Sequence, residues 1–339
     1  MLLRYLTPFA FVALLPLGGW LGGGWTFLAA AATPLCLAGL DELLGDEAQL
    51  RDTGGSLPRW LPRFYVVVQL AATAWAMWWV ARSSTSFLEL LGMTVSTGIT
   101  TGVFGFVAAH ELIHSRDRRD RALGLVLLAS LFYMHFRIAH LYGHHRRAAT
   151  FEDPASARLG EGLYAFLVRS VAGQLRESWA FEAQRRRRSG MAVLGPGNRM
   201  IRYLLIEAVF LTAVALAGWR ALAFVIAIAV IAIALLESFN YVAHYGLSRE
   251  LRRDGRPEPL ASHHSWNSGR RMNNASLFNM GRHSDHHRHM ARSYERLEPL
   301  TGAAQLPSGY AAAIVSALVP PLWRRVMDPR AEAVRAAKG

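Results

Sequence analysis

Residues 282 to 287 read Arg-His-Ser-Asp-His-His, three histidines in five positions with one carboxylate among them. On a helix His283 shares a face with His286 and His287, three and four residues further on. Neutral imidazole is the commonest metal ligand, and a triplet at this spacing has no ready role in an apolar core. Two further clusters accompany it. His110-Glu111-Leu112-Ile113-His114 sets two imidazoles one helical turn apart. His140-Leu141-Tyr142-Gly143-His144-His145 puts His140 and His144 on one helical face, with His145 beside them. His244, in Asn240-Tyr241-Val242-Ala243-His244-Tyr245-Gly246, is a fourth candidate. The residues alone leave it open between a ligand and an interfacial histidine.

Four-coordinate zinc needs three or four ligands, so eight histidines on three segments suggest two metals. Imidazole suits iron, copper, nickel and zinc alike. Oxygen activation by two irons is chemistry that side chains alone cannot supply, and attack on an unactivated C–H bond fits such a site. His110, Glu111 and His114 taken singly also match the zinc-protease helix, with Glu111 as base. A non-catalytic metal carrier or sensor is a further reading. His135, His263, His264 and His289 read as structural.

The elements that must position these clusters are membrane helices. The chain has 339 residues, 52% of them hydrophobic, in long apolar runs separated by basic segments. That profile is a membrane protein's and not that of one soluble core. A net charge of +13 raises nucleic acid, but the arginines flank apolar spans and no nucleic-acid motif accompanies them, so no nucleic-acid partner is expected. Cys36 is the single cysteine, which excludes disulfides and cysteine-ligated iron on this chain.

Spans are expected near 5–20, 25–40, 64–81, 87–109, 201–218 and 221–239. The N-terminus does not read as a cleavable signal. Residues 41 to 62 read as a loop, 123 to 136 as an interfacial or re-entrant helix and 146 to 199 as a long basic polar stretch. Ala311 to Leu318 reads as a short apolar piece on the membrane surface, stopped by Pro320 and Pro321. With both termini inside, the arginine-rich segments fall on the cytoplasmic side, and the outer turns hold only Arg82 and Arg220. The histidine clusters then gather at that face. Trp75, Trp78 and Trp79 read as span or belt residues.

At these residues the chain closely resembles the bacterial membrane alkane 1-monooxygenase family, within the wider membrane fatty acid desaturase/hydroxylase di-iron group. The resemblance runs from about Leu40 to Leu297. It is carried by the boxes at 110–114 and 140–145, and by Ala149-Thr150 with Asp153-Pro154-Ala155-Ser156-Ala157-Arg158 and Gly160-Glu161. It is carried further by Asn240-Tyr241 with His244-Tyr245-Gly246-Leu247, by His264-Ser265-Trp266-Asn267-Ser268 and by the 282–287 box. A desaturase shares the boxes but not the Asn-Tyr or Ser-Trp-Asn-Ser stretches.

The resemblance implies an all-α integral membrane fold over 1–339. It has six transmembrane helices and a cytoplasmic di-iron cap from 110–200 and 244–310. It implies oxygenation of a terminal methyl of an alkane-like substrate that enters from the bilayer, in the bacterial inner membrane. Electrons come from NAD(P)H through a reductase and rubredoxin. The ligands carried over are His110, His114, His140, His144, His145, His244, His283, His286 and His287. Glu111, Asp153, Asn240 and Asp285 are candidates for supporting them, with Asp285 able to orient a ligand imidazole. Two positions depart from the family pattern: Ala243, where the alkane enzymes are usually acidic, and Ala139, where Glu is common. A xylene-monooxygenase-like alkyl-aromatic hydroxylase and a lipid desaturase or hydroxylase are the alternatives.

Overall fold

The computed structural model describes residues 2–47, 60–82 and 84–337. The fold is mostly helical. In chain order the helices that matter here are α1 (Thr7–Leu21), α2 (Gly23–Leu44), α3 (Trp60–Val80), α4 (Phe87–His114), α5 (Arg118–Ser130), α6 (Leu163–Arg188), α7 (Arg199–Leu216) and α8 (Trp219–His244). They are followed by α9 (Arg271–Ser276), α10 (His283–Arg288), α11 (Tyr310–Ala317) and α12 (Pro320–Ala336). Two short strands, β1 (Trp266–Asn267) and β2 (Ala304–Gln305), pair in parallel with Trp266 opposite Ala304.

Local chemistry sets many of the ends. Ser86 and Glu89 form a capping box at α4: Ser86 Oγ accepts the Glu89 amide at 3.3 Å, and Glu89 Oε2 accepts the Ser86 amide at 2.9 Å. Asp117 caps α5 and Asn198 caps α7, each accepting an amide at 2.8 Å. By length and composition α2, α4 and α8 can each cross a bilayer. α1 is shorter at 15 residues, and α7 carries Arg199, Arg202 and Glu207 within its 18.

Several sequence expectations shift. Of the loop expected at 41–62, Asp41–Leu44 ends α2 and Trp60 opens α3, while residues 48–59 lie outside the described residues. The stretch at 146–199 contains the 26-residue α6. Its hidden stripe is polar at every fourth position (Ser170, Gln174, Ser178 and Glu182 are all buried), so no apolar periodicity announces it. Hydrogen bonds replace apolar contact along this stripe. Ser178 Oγ donates to the His135 carbonyl at 3.1 Å. Burial works against the charge on Glu182, but Arg185 and Arg199 hold its carboxyl down to about 2. Pro320 and Pro321 do not end structure but open α12, where a missing N–H costs nothing.

The chain divides into two compact units. One comprises the described residues of Met1–Thr33, Leu57–Ala139 and Leu175–Leu236. Its helices pack through small residues, as membrane helices do. A Cβ at Gly102 would lie 2.8 Å from the Ala232 Cα, so α4 meets α8 backbone to backbone there, while one at Gly92 would lie 2.1 Å from the Thr26 Oγ1 side-chain atom of α2. Tyr65 donates to Gln69 at 2.9 Å and Gln69 to Thr101 at 2.9 Å, which pairs these three buried polar side chains.

The other unit comprises the described residues of Pro34–Ser56, His140–Gln174 and Glu237–Gly339. Its core is aromatic: Trp323 packs against Tyr241 and Tyr245, and Trp266 Nε1 donates to the Tyr245 carbonyl at 2.9 Å. The end of α2 is bolted to this unit by carboxylates. Asp41, fully buried, accepts the amides of Met272 and Asn273 at 2.6 and 3.1 Å. Glu42 pairs with Arg270 at 2.6 Å and Glu47 with Arg282 at 3.0 Å. Asp41→Ala strands the buried Asn273 amide and the part-buried Met272 amide and is expected to cost about 2 kcal/mol. Thermal unfolding in detergent reads the loss, and an unshifted midpoint would remove Asp41 from the anchoring groups.

Candidate metal centre

The second histidine box is not an α-helical turn. Ala139–His144 forms a π-turn, continued by a short helix at His145–Arg147. The π-turn's wider i→i+5 bonding lets His140 reach His145 edge-on while its ring stays stacked on His144 at 5.3 Å. The Nε2 atoms of His140 and His145 are 3.0 Å apart, and their ring centroids 4.5 Å. His144 is turned into a different group. α10 divides its histidines likewise: His283 and His287 face each other, and His286 turns away to His145, with ring centroids 4.9 Å apart.

Two groups result. His144, His244, His283 and His287 are all buried, and one ligand nitrogen from each lies within 4.8 Å of the others. His283 Nε2 is 3.2 Å from His244 Nε2 and 3.1 Å from His287 Nε2. One ring nitrogen bearing either one proton or one lone pair cannot satisfy two such neighbours by hydrogen bonding. A shared cation can. Two nitrogens each roughly 2.1 Å from one ion lie about 3.0 Å apart at right angles and about 3.4 Å apart at the tetrahedral angle. The separations fit a metal. His140, His145 and His286 form the second group, again with ligand nitrogens within 4.8 Å. The groups adjoin, the His145 and His287 centroids being 4.8 Å apart.

The surroundings prepare these rings as ligands. His144 Nδ1 is bonded to Asp153 Oδ2 at 2.8 Å, and the ring's buried Nε2 has no hydrogen-bond partner among the described residues. Asp153 is itself held by the Ser156 hydroxyl at 2.7 Å and the Ala155 amide at 3.1 Å. Burial opposes its charge, yet the His144 imidazole and Ser156 keep its carboxyl below the usual range. Burial pushes the His286 imidazole down to about 3 and that of His287 well below its ordinary value. Both are neutral at pH 7, as a ligand must be.

The remaining predicted residues fall as follows. His110 and His114 lie one turn apart on α4, with centroids 4.6 Å apart, His110 buried and Glu111 half-buried between them. Asp153 joins His144. Asn240 donates to Glu237 at 3.2 Å and not to a histidine. Asp285 accepts Arg292 at 2.9 Å, His289 Nδ1 at 2.8 Å and the Glu298 amide at 2.9 Å. It thus clamps the chain beyond α10 instead of orienting a clustered imidazole. Sequence reasoning missed Asn267 and Ser284. Asn267 Oδ1 accepts the Ser284 amide at 2.9 Å and its Nδ2 donates to Ser284 Oγ at 2.7 Å, which sets the first turn of α10. No spacing rule signals a contact 17 residues apart.

Residues 85–316 match the family model described as fatty acid desaturase. The chain is similar to alkane 1-monooxygenase 1 of Pseudomonas aeruginosa, at 39% identity over 88% of this chain and 81% of that protein. It is similar to alkane 1-monooxygenase 2 of the same organism at 36% identity over 93% and 86%. It is also similar to the xylene/toluene monooxygenase hydroxylase component of Pseudomonas putida, at 27% identity over 91% and 82%.

Two outcomes are expected. Asp153→Asn keeps an acceptor near His144 but removes the charge, and should weaken metal affinity about 10-fold. Chelator competition measures this, and unchanged affinity would deny Asp153 its supporting role. His135, a member of neither group, is pushed down to about 4 by burial. Between about pH 4 and 6.5 the unfolded chain therefore binds a proton there that the folded one does not. Stability from this site is present above pH 6.5 and is lost as pH falls toward 4. His135→Gln should flatten the acid-side fall of the unfolding midpoint relative to the unaltered protein, and an identical pH profile would count against it.

Proposed function

The chain belongs to the alkane 1-monooxygenase family, and from that premise we propose that it hydroxylates a terminal methyl of an alkane-like substrate with O2 at a pair of irons. The observation that carries the reading is the pair of adjoining imidazole groups, His144, His244, His283 and His287 beside His140, His145 and His286. A zinc protease built on His110, Glu111 and His114 gives these seven residues nothing to do. The higher identity to alkane enzymes than to the xylene enzyme ranks a linear alkane before an alkyl-aromatic methyl.

We assign all nine histidines, His110 and His114 included, as ligands of the iron pair. Bound iron supplies the oxygen activation that no side chain can. The chain's own part is to bury His144, His244, His283, His286 and His287, to keep His286 and His287 neutral by that burial, and to fix His144 through Asp153. The six-span topology and a cytoplasmic site in the bacterial inner membrane are the reading that the arginine distribution supports. The apolar substrate then enters from the bilayer. The family resemblance supports electrons arriving from NAD(P)H through a reductase and rubredoxin, and Cys36 alone builds no four-thiolate iron site within these 339 residues.

The test is purified, iron-loaded protein with NADH, reductase, rubredoxin, O2 and a mixed panel of alkanes and alkylbenzenes. A primary alcohol from octane, lost in His283→Ala, is expected. If the panel yields no oxygenated product while iron stays bound, the substrate assignment fails. If no iron binds, the centre fails.

A further inference from the structure

Outside the two groups, Glu258, His263 and His264 bring ligand atoms within 4.8 Å of one another. A third metal ion is the immediate reading, and the His264 ring decides against it. Its Nδ1 accepts the Ala261 amide at 2.9 Å, so a neutral ring carries its proton on Nε2. That nitrogen donates to Glu258 Oε1 at 3.0 Å. Neither nitrogen then offers a lone pair to a metal. The ring is a buried strut, and what it steadies is its own backbone. The His264 carbonyl accepts from His244 Nδ1 at 3.3 Å. With its proton on Nδ1, His244 has its lone pair on Nε2, the atom 3.2 Å from His283 Nε2.

We propose that Glu258 and His264 form a positioning relay that sets the tautomer and aim of His244 as a metal ligand: Glu258 grips the His264 ring, and the His264 carbonyl holds the Nδ1 proton of His244. The relay rests on the metal-centre reading above. Glu258 is itself fixed. Its Oε1 accepts the Glu250 amide at 3.0 Å, and its carbonyl accepts Arg249 Nε at 2.6 Å. The Arg249 amide in turn donates to the Ala149 carbonyl at 2.7 Å, tying this loop to the chain just beyond His145. The same segment holds α10, since Ser284 Oγ donates to the Ser262 carbonyl at 2.6 Å. Residues 258 to 267 thus align His244 and His283, from two separate helices, on one point.

The test titrates iron(II) into the full-length metal-free protein in detergent, followed by chelator competition and Mössbauer spectra. The unaltered protein is expected to take two irons; uptake of none would overturn the metal centre and the relay with it. Glu258→Leu is expected to weaken one iron about 10-fold and change its spectrum while the other iron is unaffected. Glu258→Gln, whose amide oxygen still accepts from His264 Nε2, is expected to restore both. His264→Phe keeps the ring shape and the carbonyl but loses the Nε2 donor, and must weaken the same iron. Two irons held as tightly in Glu258→Leu as in the unaltered protein, or both weakened alike, overturns the relay. Should metal-free Glu258→Leu fail to unfold cooperatively, Glu258→Gln against His264→Phe makes the same comparison, and equal affinity in those two overturns it.

Discussion

Buried imidazole nitrogens facing one another are the constraint on which the rest of this structure turns. His283 Nε2 has two imidazole nitrogens within 3.2 Å. A burial that strips water from such a cluster is costly unless something pairs with the lone pairs. Protonating the rings would place like charges together in a low dielectric, and burial drives His286 and His287 the other way. Neutral rings with converging lone pairs are stable as a set only around a cation. The surrounding polar network reads as the apparatus that keeps this set assembled.

That apparatus works through carboxylates and carbonyls used one at a time. Asp153 takes the far nitrogen of His144 and Asp285 locks the chain after α10. Asp41 closes the first turn of α9. Each buried charge is met by several donors, which is the condition under which a buried charge is tolerated. Asp285 shows why residue type alone does not give a role. It sits between ligand histidines in sequence, yet on the helix it points to Arg292 and His289.

Helix irregularity does as much as side-chain choice. A regular α-helix would stack His140 on His144. The π-turn at Ala139–His144 keeps those two rings in contact but also brings His140 Nε2 to 3.0 Å from His145 Nε2, and the ligand nitrogen of His144 joins another set. A second π-turn, at Thr101–Gly105, lies within α4 ahead of His110. Such a turn shifts the phase of the helical periodicity by one residue and leaves the composition unchanged, so no residue type announces it.

The sequence by itself determined the helical membrane class and the three histidine boxes, and suggested two metals. These follow from composition and from short spacings, where chain geometry leaves few options. It also determined the family, through motifs long enough to be specific. Only the tertiary structure decided how the histidines are shared, with His144 beside His244, His283 and His287 and His286 beside His140 and His145. Only it showed α6, whose buried stripe of Ser170, Gln174, Ser178 and Glu182 reads as solvent-facing until its hydrogen-bond partners are seen. The roles of Asn267 and His264 were hidden for the same reason. A local pattern records which residues can share a face, while a hydrogen bond across 17 or 20 residues depends on the path of the chain between them.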